Sequence, residues 1–297
     1  MNVVSAGTLL LLALWATAGG AAERAIYTVV DGDVRVLRKT TWYRLEAGAR
    51  AESGDVIDAG ERAQAQLELA HGATLSIMGP ALVGAAELPS GDGKSAATPE
   101  LTLLRGWVKA SNAPKAAPLR LVLPSSALRI ANGVAVVHCD AAQSGFFVET
   151  GSVTLTTPAA RGREVAREAR EGEFWHRTGD RAFESEDHPS PAFIAAMPTA
   201  LRDRLPSLAS RFETAPPPSL PAGREVTYAE AEPWLAGATR KAFAKRFASR
   251  LADPAFRAAA AAARPPVPEW DRTLHPERYR PREPEDAGRV VAPSANR

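Results

Sequence analysis

The sequence predicts a mainly β protein, either a sandwich of short strands or an irregular β-solenoid, with a smaller α-helical region towards the C terminus. Three observations support this prediction. A β-hairpin pattern occupies residues 55–77, a glycine-led unit recurs through residues 25–185, and apolar residues change to helical spacing after residue 186. Such a run of short strands with frequent turn signals is typical of all-β folds.

The hairpin pattern determines its own loop length. With a three-residue loop at 70–72, Leu67 faces Leu75 and Ala65 faces Ile77, so all the apolar side chains share one face. A two-residue loop would divide the apolar side chains between the two faces. We therefore predict the three-residue loop, with the glycine at its end in a left-handed conformation.

A short unit of Gly-x-Val or Gly-x-Phe followed by alternation recurs at irregular spacing from residue 32 to residue 176. Each glycine is expected to supply a positive φ at a tight turn before a strand. The six glycines are Gly32, Gly54, Gly106, Gly133, Gly151 and Gly172.

The N-terminal residues predict export. Residues 1–22 are uncharged and apolar, then rich in small residues, which is typical of a secretory signal peptide cleaved after Ala22. The alternative is an uncleaved membrane anchor. The net charge of +2 argues against a nucleic-acid binder, and the single cysteine, Cys139, excludes an intrachain disulfide framework.

The region after the β-domain divides into three predicted parts. Residues 186–223 form a helical segment and a proline-rich linker, and residues 224–264 form a helical C-terminal region. Thr227 and Glu230 match a capping box that opens the first helix of that region. Residues 265–297 are rich in proline and charge, and predict an extended tail.

Residues 137–140, Val-His-Cys-Asp, place three reactive side chains in a row. Because neighbours on a strand point to opposite faces, Cys139 is expected to lie across the sheet from His138 and Asp140, as a buried core thiol. The pair that shares a face could hydrogen-bond or share a metal, but no further ligand has a recognisable spacing. The familiar catalytic and nucleotide-binding fingerprints are absent, so we expect no enzymatic activity and no cofactor.

A predicted helix at 238–252 has a stripe of phenylalanine and leucine on one face and basic residues opposite. Either the basic face is simply solvated, or it makes a weak contact with an anionic surface such as lipid headgroups or acidic glycan. Its residues are Arg240, Lys241, Lys245, Arg246 and Arg250.

Residues 54–77 follow the pattern G-D-x-I-x-[AT]-G-x-x-A-x-[AV]-x-L-x-x-x-x-G-x-x-L-x-[IL], which resembles the core of the FecR domain. The resemblance implies a β-rich module on the outer side of the inner membrane, and the best-known members relay a signal from an outer-membrane transporter to a cytoplasmic sigma factor. Its motifs specify turn geometry rather than a catalytic or ligand site. The matching turn positions are Gly32, Gly54, Gly60, Gly72, Gly106 and Gly151.

The FecR-type regulators carry a cytoplasmic sigma-binding segment and a transmembrane helix ahead of the β-domain, whereas here the domain follows the predicted signal peptide almost directly. We therefore expect a periplasmic, non-enzymatic binding or scaffold protein whose partner is an envelope protein or glycan. One alternative is a regulatory sensor subunit, tethered at the inner membrane and acting with a separate membrane protein. Another is an envelope hydrolase, which would need acidic or histidine side chains converging in a groove.

Overall fold

The computed structural model describes residues 25–69, 72–89, 98–114, 116–159, 162–203, 206–212 and 214–279. The predicted signal peptide at 1–22 lies outside these residues. The predicted fold class is confirmed, because strands dominate and a smaller helical region follows them.

The described residues contain one 14-stranded sheet. Its strands are β1 (Ile26–Asp31), β2 (Val34–Arg38), β3 (Thr41–Arg44), β4 (Val56–Ala59), β5 (Gln64–Glu68), β6 (Thr74–Glu87), β7 (Glu100–Asn112), β8 (Leu119–Leu123), β9 (Ser126–Cys139), β10 (Gln143–Pro158), β11 (Glu164–Arg170), β12 (Phe174–Thr178), β13 (Glu184–Glu186) and β14 (Ala222–Glu225). The α-helices are α1 (Pro191–Ala196), α2 (Tyr228–Ala231), α3 (Arg240–Phe247), α4 (Pro254–Ala262) and α5 (Asp271–Leu274). Short 3-10 turns occupy Thr199–Leu201, Ala209–Phe212, Glu232–Trp234, Gly237–Thr239, Ala248–Ala252, Pro268–Trp270 and Pro276–Tyr279.

The hairpin between β5 and β6 has the predicted register. Leu67 pairs with Leu75 and Ala65 with Ile77, and all four side chains are fully buried. The amide of Leu69 donates to the carbonyl of Ala73 across 2.7 Å, which leaves three residues in the loop. The glycine at its end has a φ of 92°. The burial of one face therefore sets the register, as the alternation indicates.

The four longest strands, β6, β7, β9 and β10, change partners part way along their length. β6 pairs first with β5 and then with β4, and β10 pairs first with β12 and then with β11. The sheet is thereby divided into two layers. The front layer comprises β1, β5, β12 and residues 74–78, 107–112, 133–139 and 143–148, and the back layer comprises β2, β3, β4, β8, β11 and residues 81–87, 100–105, 126–130 and 152–158.

Three glycines mark the line along which the long strands bend. Gly106, Gly133 and Gly151 have φ values of 107°, 125° and 76°. A β-carbon on Gly133 would lie 2.1 Å from the carbonyl oxygen of Thr150, because neighbouring backbones approach closely there. The predicted positive φ is present at all three, but the prediction of a turn before a strand is wrong. When neighbouring strands bend together, a positive φ bends a strand without ending it.

The main hydrophobic core lies between the two layers. Front-layer residues such as Val108 and Val137 and back-layer residues such as Val83 and Leu128 all belong to it. The fold is therefore a sandwich rather than a solenoid, and four of its strands are 13 to 16 residues long rather than short.

The region after β13 covers the outer faces of both layers. Phe193 and Met197 of the α1 segment pack on Trp107 and Phe174 of the front layer. Helices α2 to α4 and the turn that carries Trp270 pack on Leu37, Trp42, Val56 and Leu82 of the back layer. The helical region is thus part of the hydrophobic structure rather than a separate attachment.

Two boundaries differ from the predictions. Residues 222–225, predicted as the end of the linker and the start of the helical region, form β14 antiparallel to β3. Within residues 265–279 of the predicted extended tail, three short helical turns form instead, at Pro268–Trp270, Asp271–Leu274 and Pro276–Tyr279. Trp270 is 2% exposed and its indole nitrogen donates to the carbonyl of Ala244 across 2.9 Å, so burial of this aromatic ring orders the segment. Residues 280–297 lie outside the described part of the chain.

The capping box at the start of α2 is confirmed. The amide of Glu230 donates to Thr227 Oγ1 across 3.4 Å, and the amide of Thr227 donates to Glu230 Oε2 across 3.0 Å. After Ala231 the helix tightens into the 3-10 turn Glu232–Trp234, because Pro233 has no amide to donate. Among the described residues, every helix is too short or too polar to cross a bilayer.

We predict that Gly133→Ala destabilises the fold far more than Gly172→Ala. Both glycines have a positive φ, but a β-carbon at Gly172 would meet no atom within 4 Å, whereas one at Gly133 would meet the backbone of Thr150. Gly172→Ala is the control and should lower the free energy of unfolding by about 1–2 kcal/mol. Gly133→Ala should lower it by more than about 3 kcal/mol. Urea unfolding measures both. Equal losses would show that the close approach at the bend does not matter.

We also predict that the free energy of unfolding depends on pH through Glu230. Burial raises the pKa of this carboxyl, but hydrogen bonds from Arg224 and Thr227 outweigh burial and lower the pKa from 4.5 to about 2. Its stabilising contribution is therefore complete above pH 4.5 and is lost as the pH falls through about 2.

Glu230→Gln should cost about 1 kcal/mol at pH 7 and should reduce the loss of stability on acidification over that window. Urea unfolding at pH 7 and pH 3 measures the effect, and Glu232→Gln, at an exposed position two residues away, is the control. A variant that keeps the full pH dependence of the wild type would exclude Glu230 as its source.

Candidate functional site

A crevice of about 950 Å³ opens where the helical region meets the back layer. The turn between β2 and β3 forms one wall, the loop before β4 forms a second, and α3 with a proline-rich stretch forms the third. The lining residues are Arg38, Lys39, Thr40, Thr41, Tyr43, Glu52, Ser53, Gly54, Asp55, Pro218, Leu220, Arg246 and Ser249.

A buried carboxylate organises the floor of the crevice. Asp55 is 2% exposed and accepts hydrogen bonds from Arg38 Nε at 3.0 Å and Arg38 Nη2 at 3.1 Å. The Tyr27 hydroxyl, at 3.3 Å, and the Glu52 amide, at 3.0 Å, donate to the same carboxylate. A two-pronged guanidinium contact holds both partners in a fixed orientation.

The pKa values at the floor reflect this burial. Burial raises the pKa of Asp55 above its ordinary value, although hydrogen bonds and charge from Arg38 act in the opposite direction. Burial, and next the charge of Asp55, raise the pKa of the Tyr27 hydroxyl well above 10.0. The Arg38 pKa is raised, because its bonds and charge attraction to Asp55 more than offset burial. Tyr27 is therefore uncharged at neutral pH, and Arg38 keeps its positive charge.

Arg246 connects α3 to the sheet. Its guanidinium donates to the backbone carbonyls of Leu37 at 2.8 Å, Lys39 at 2.5 Å and Gly54 at 2.5 Å. Burial lowers the Arg246 pKa to about 10, although the charge of Asp55 opposes this. The side chain therefore stays charged at neutral pH, and it holds two walls of the crevice together.

The prediction that Arg246 lies on a basic face turned to solvent or to an anionic surface is therefore wrong. The same prediction is wrong for Arg250. Arg250 donates to the carbonyl of Val226 at 3.2 Å and lies 3.3 Å from Asp253. These two side chains point at the protein because the helix docks through a wider face than its apolar stripe indicates.

Of the other basic residues, Arg240 pairs with Glu269 at 3.2 Å, and Lys241 and Lys245 are exposed.

The turn glycines of the sequence motif do not form a common site. Gly32 and Gly72 have positive φ values at separate turns, and Gly106 and Gly151 lie on the bend.

Gly54, with a φ of 89°, lies at the crevice and supplies a carbonyl to Arg246. Gly60 is not among the positive-φ residues, and its amide donates to the carbonyl of Asp33 across 2.8 Å.

The reactive side chains at 138–140 are separated as predicted. Cys139 faces the main core, whereas the His138 ring packs on Trp107 at a tilt of 33° with ring centroids 4.4 Å apart. His138 also lies 3.9 Å from Asp140. Burial lowers the pKa of His138 and raises that of Cys139. Within the described ranges, no group of three or more His, Cys, Asp or Glu side chains could hold a metal ion.

No local pattern predicted a role for Arg38, and Asp55 belonged only to the turn motif of residues 54–77. A local signal was present: Asp55 directly precedes a buried strand, and a buried aspartate at such a place needs a cation. Which arginine supplies the cation depends on the pairing of β2 with β4, which is a long-range feature.

We predict that Arg246→Gln loosens α3 and Lys245→Gln does not. The first substitution removes the donors to three carbonyls and should cost about 2–4 kcal/mol of unfolding free energy. The second changes an exposed neighbour and should stay within about 0.5 kcal/mol. Urea unfolding and amide hydrogen exchange of α3 measure the two effects. Equal exchange in both variants would contradict the assigned role of Arg246.

No family model matches the chain, and no curated protein matches it. Two crystal structures of a "putative anti-sigma factor" from Parabacteroides distasonis are similar to part of it, each with 12% sequence identity and a TM-score of 0.37. The similar region covers 45% of this chain and 59% of that protein, so the chain spans about three fifths of the length of the structure that it matches. The FecR resemblance of residues 54–77 thus stays a prediction from the sequence.

Proposed function

We propose that this chain is an exported, non-enzymatic binding or scaffold module of the bacterial cell envelope, and that it holds an envelope protein or glycan in the crevice between the sheet and α3. The supporting observation is that structural bonds already engage the charged groups at the floor and on the α3 wall of the crevice. Arg38 pairs with Asp55, and Arg246 binds three carbonyls. A site whose walls are fixed before binding loses little entropy when a partner enters.

The groups that the crevice offers to a partner are hydrogen-bonding groups rather than reactive ones. Lys39 and Ser249 are exposed at its rim, and the Tyr43 ring is partly exposed inside it. An ammonium group, a hydroxyl group and a phenol can hydrogen-bond to glycan hydroxyls, to carboxylates or to a polar peptide. This chemistry favours recognition over bond cleavage.

A contact with anionic lipid is at most an accessory part of this function. Lys241 and Lys245 are the exposed members of the predicted basic set. Each lysine near an anionic leaflet contributes about 1 kcal/mol, so two of them give only weak attraction. A membrane contact of this strength could orient the module but could not anchor it.

We predict that a photo-crosslinking amino acid at Tyr43 captures the partner in cells, whereas the same group at Glu168, an exposed residue of β11, does not. Mass spectrometry of the adduct identifies a protein partner, and sugar analysis identifies a glycan. Ser249→Trp should reduce the adduct at least tenfold because it fills the crevice, and Ala248→Trp, at an exposed neighbouring position, should not. Equal adducts at Tyr43 and Glu168 would count against the crevice as the site.

The mass of the N terminus in native envelope fractions distinguishes the proposed function from the sensor alternative. A soluble periplasmic species that begins at Glu23 is the expected result. An intact N terminus in the inner-membrane fraction would instead support a tethered sensor subunit that acts with a separate membrane protein.

A further inference from the structure

A row of buried polar side chains crosses the outer face of the front layer. Gln66 of β5 pairs in register with Ser76 of β6, which pairs with Lys109 of β7. The three residues are 1%, 0% and 3% exposed. Polar side chains this deeply buried need partners, and the covering chain supplies them to Gln66 and Lys109. Within the described residues, Ser76 Oγ has no hydrogen-bond partner.

The partners that the covering chain gives to this row are main-chain carbonyls, and its remaining partners are side chains of the sheet itself. Lys109 Nζ donates to the carbonyls of Leu201 and Asp203, both at 3.0 Å, and also to Glu149 Oε1 at 3.0 Å. Gln66 Nε2 donates to the carbonyl of Pro206 at 3.0 Å. The row therefore recognises a backbone that crosses the strands, largely irrespective of the side chains on that backbone.

Glu68, next to the row, adds a more specific contact. It is 6% exposed, and its carboxylate accepts the Ser207 hydroxyl at 2.6 Å and the Leu208 amide at 2.7 Å. Burial alone would raise its pKa, but these bonds outweigh burial and lower the pKa below 4.5. We call residues 206–212, which contain both donors, the strap.

The strap is attached in a way that allows it to leave. Its first residues, Pro206 and Ser207, are exposed, and it contacts the row through one carbonyl, that of Pro206. At its other end, the carbonyl of Phe212 accepts one hydrogen bond from Arg50 Nη2 at 3.2 Å. The surface beneath it is polar, so water can solvate that surface once it is uncovered. By contrast, Phe193 and Met197 cover an apolar part of the same face, where uncovering would expose hydrophobic surface.

We propose that Gln66 and Glu68 form a binding site for an extended peptide segment of a partner protein, and that the strap is its intramolecular occupant. The partner peptide presents a backbone carbonyl to Gln66, and a serine or threonine hydroxyl with the following amide to Glu68. Lys109 keeps its bonds to the carbonyls of Leu201 and Asp203, which precede the strap. Binding then exchanges one segment for another of the same chemistry. This site lies on the front layer and is independent of the crevice on the back layer.

The test uses the full chain with Ser207→Ala and Leu208→Pro, which removes both donors to Glu68. The probe is a fluorescent synthetic peptide of the chain's own residues 199–210. Fluorescence anisotropy should show at least tenfold tighter binding to this variant than to the wild type, because the strap no longer competes. The probe with alanine at the position of Ser207 should bind at least tenfold more weakly, and the probe with alanine at the position of Ser210 should bind as well as the original.

Two further results decide the proposal. Adding Glu68→Gln to the variant should abolish peptide binding, and undiminished binding would place the peptide elsewhere and overturn the proposal. If the variant with Ser207→Ala and Leu208→Pro melts at the same temperature as the wild type but does not bind the peptide, the proposal is also overturned. If the variant does not fold, hydrogen exchange of the wild type decides: strap amides should exchange at least 100-fold faster than those of β5 and β6, and equal protection would overturn the proposal.

Discussion

The close approach of backbones at the bend is the constraint on which the rest of the structure depends. A β-carbon on Gly133 would meet the backbone of Thr150 on the neighbouring strand, and a β-carbon on Gly151 would meet the backbone of Asn132. Long strands can therefore bend together without losing their neighbours, and a single sheet becomes two layers around one core. Had the strands stayed straight, the apolar residues of the two halves would have lacked a common interior.

A folded sheet of this kind still exposes the outer faces of both layers, and the remainder of the chain covers them. On the back layer, the aromatic and aliphatic contacts of the helical region supply the apolar burial. Arg246 then fixes where the helices lie relative to the turns of the sheet. The crevice follows from this arrangement, because it is the gap left where a helix is fastened to two turns by one guanidinium.

Local patterns predicted the local structure well. The alternation around Leu67 and Leu75 was sufficient for the hairpin register, and Thr227 with Glu230 was sufficient for the helix cap, because both depend on residues close in sequence. The role of Gly133 was not predictable, since its close contact is with Thr150 on another strand. The inward orientation of Arg246 was missed for the same reason: its partners lie about 200 residues away along the chain.

The central claim of this account is that the sheet and the helical region form one cooperative unit, with the crevice as a permanent feature of their junction. Differential scanning calorimetry of the full chain tests this claim most directly. The account predicts a single transition whose calorimetric and van't Hoff enthalpies agree. Two resolved transitions, with the helical region melting first, would contradict it, because the walls of the crevice would then be held together only part of the time.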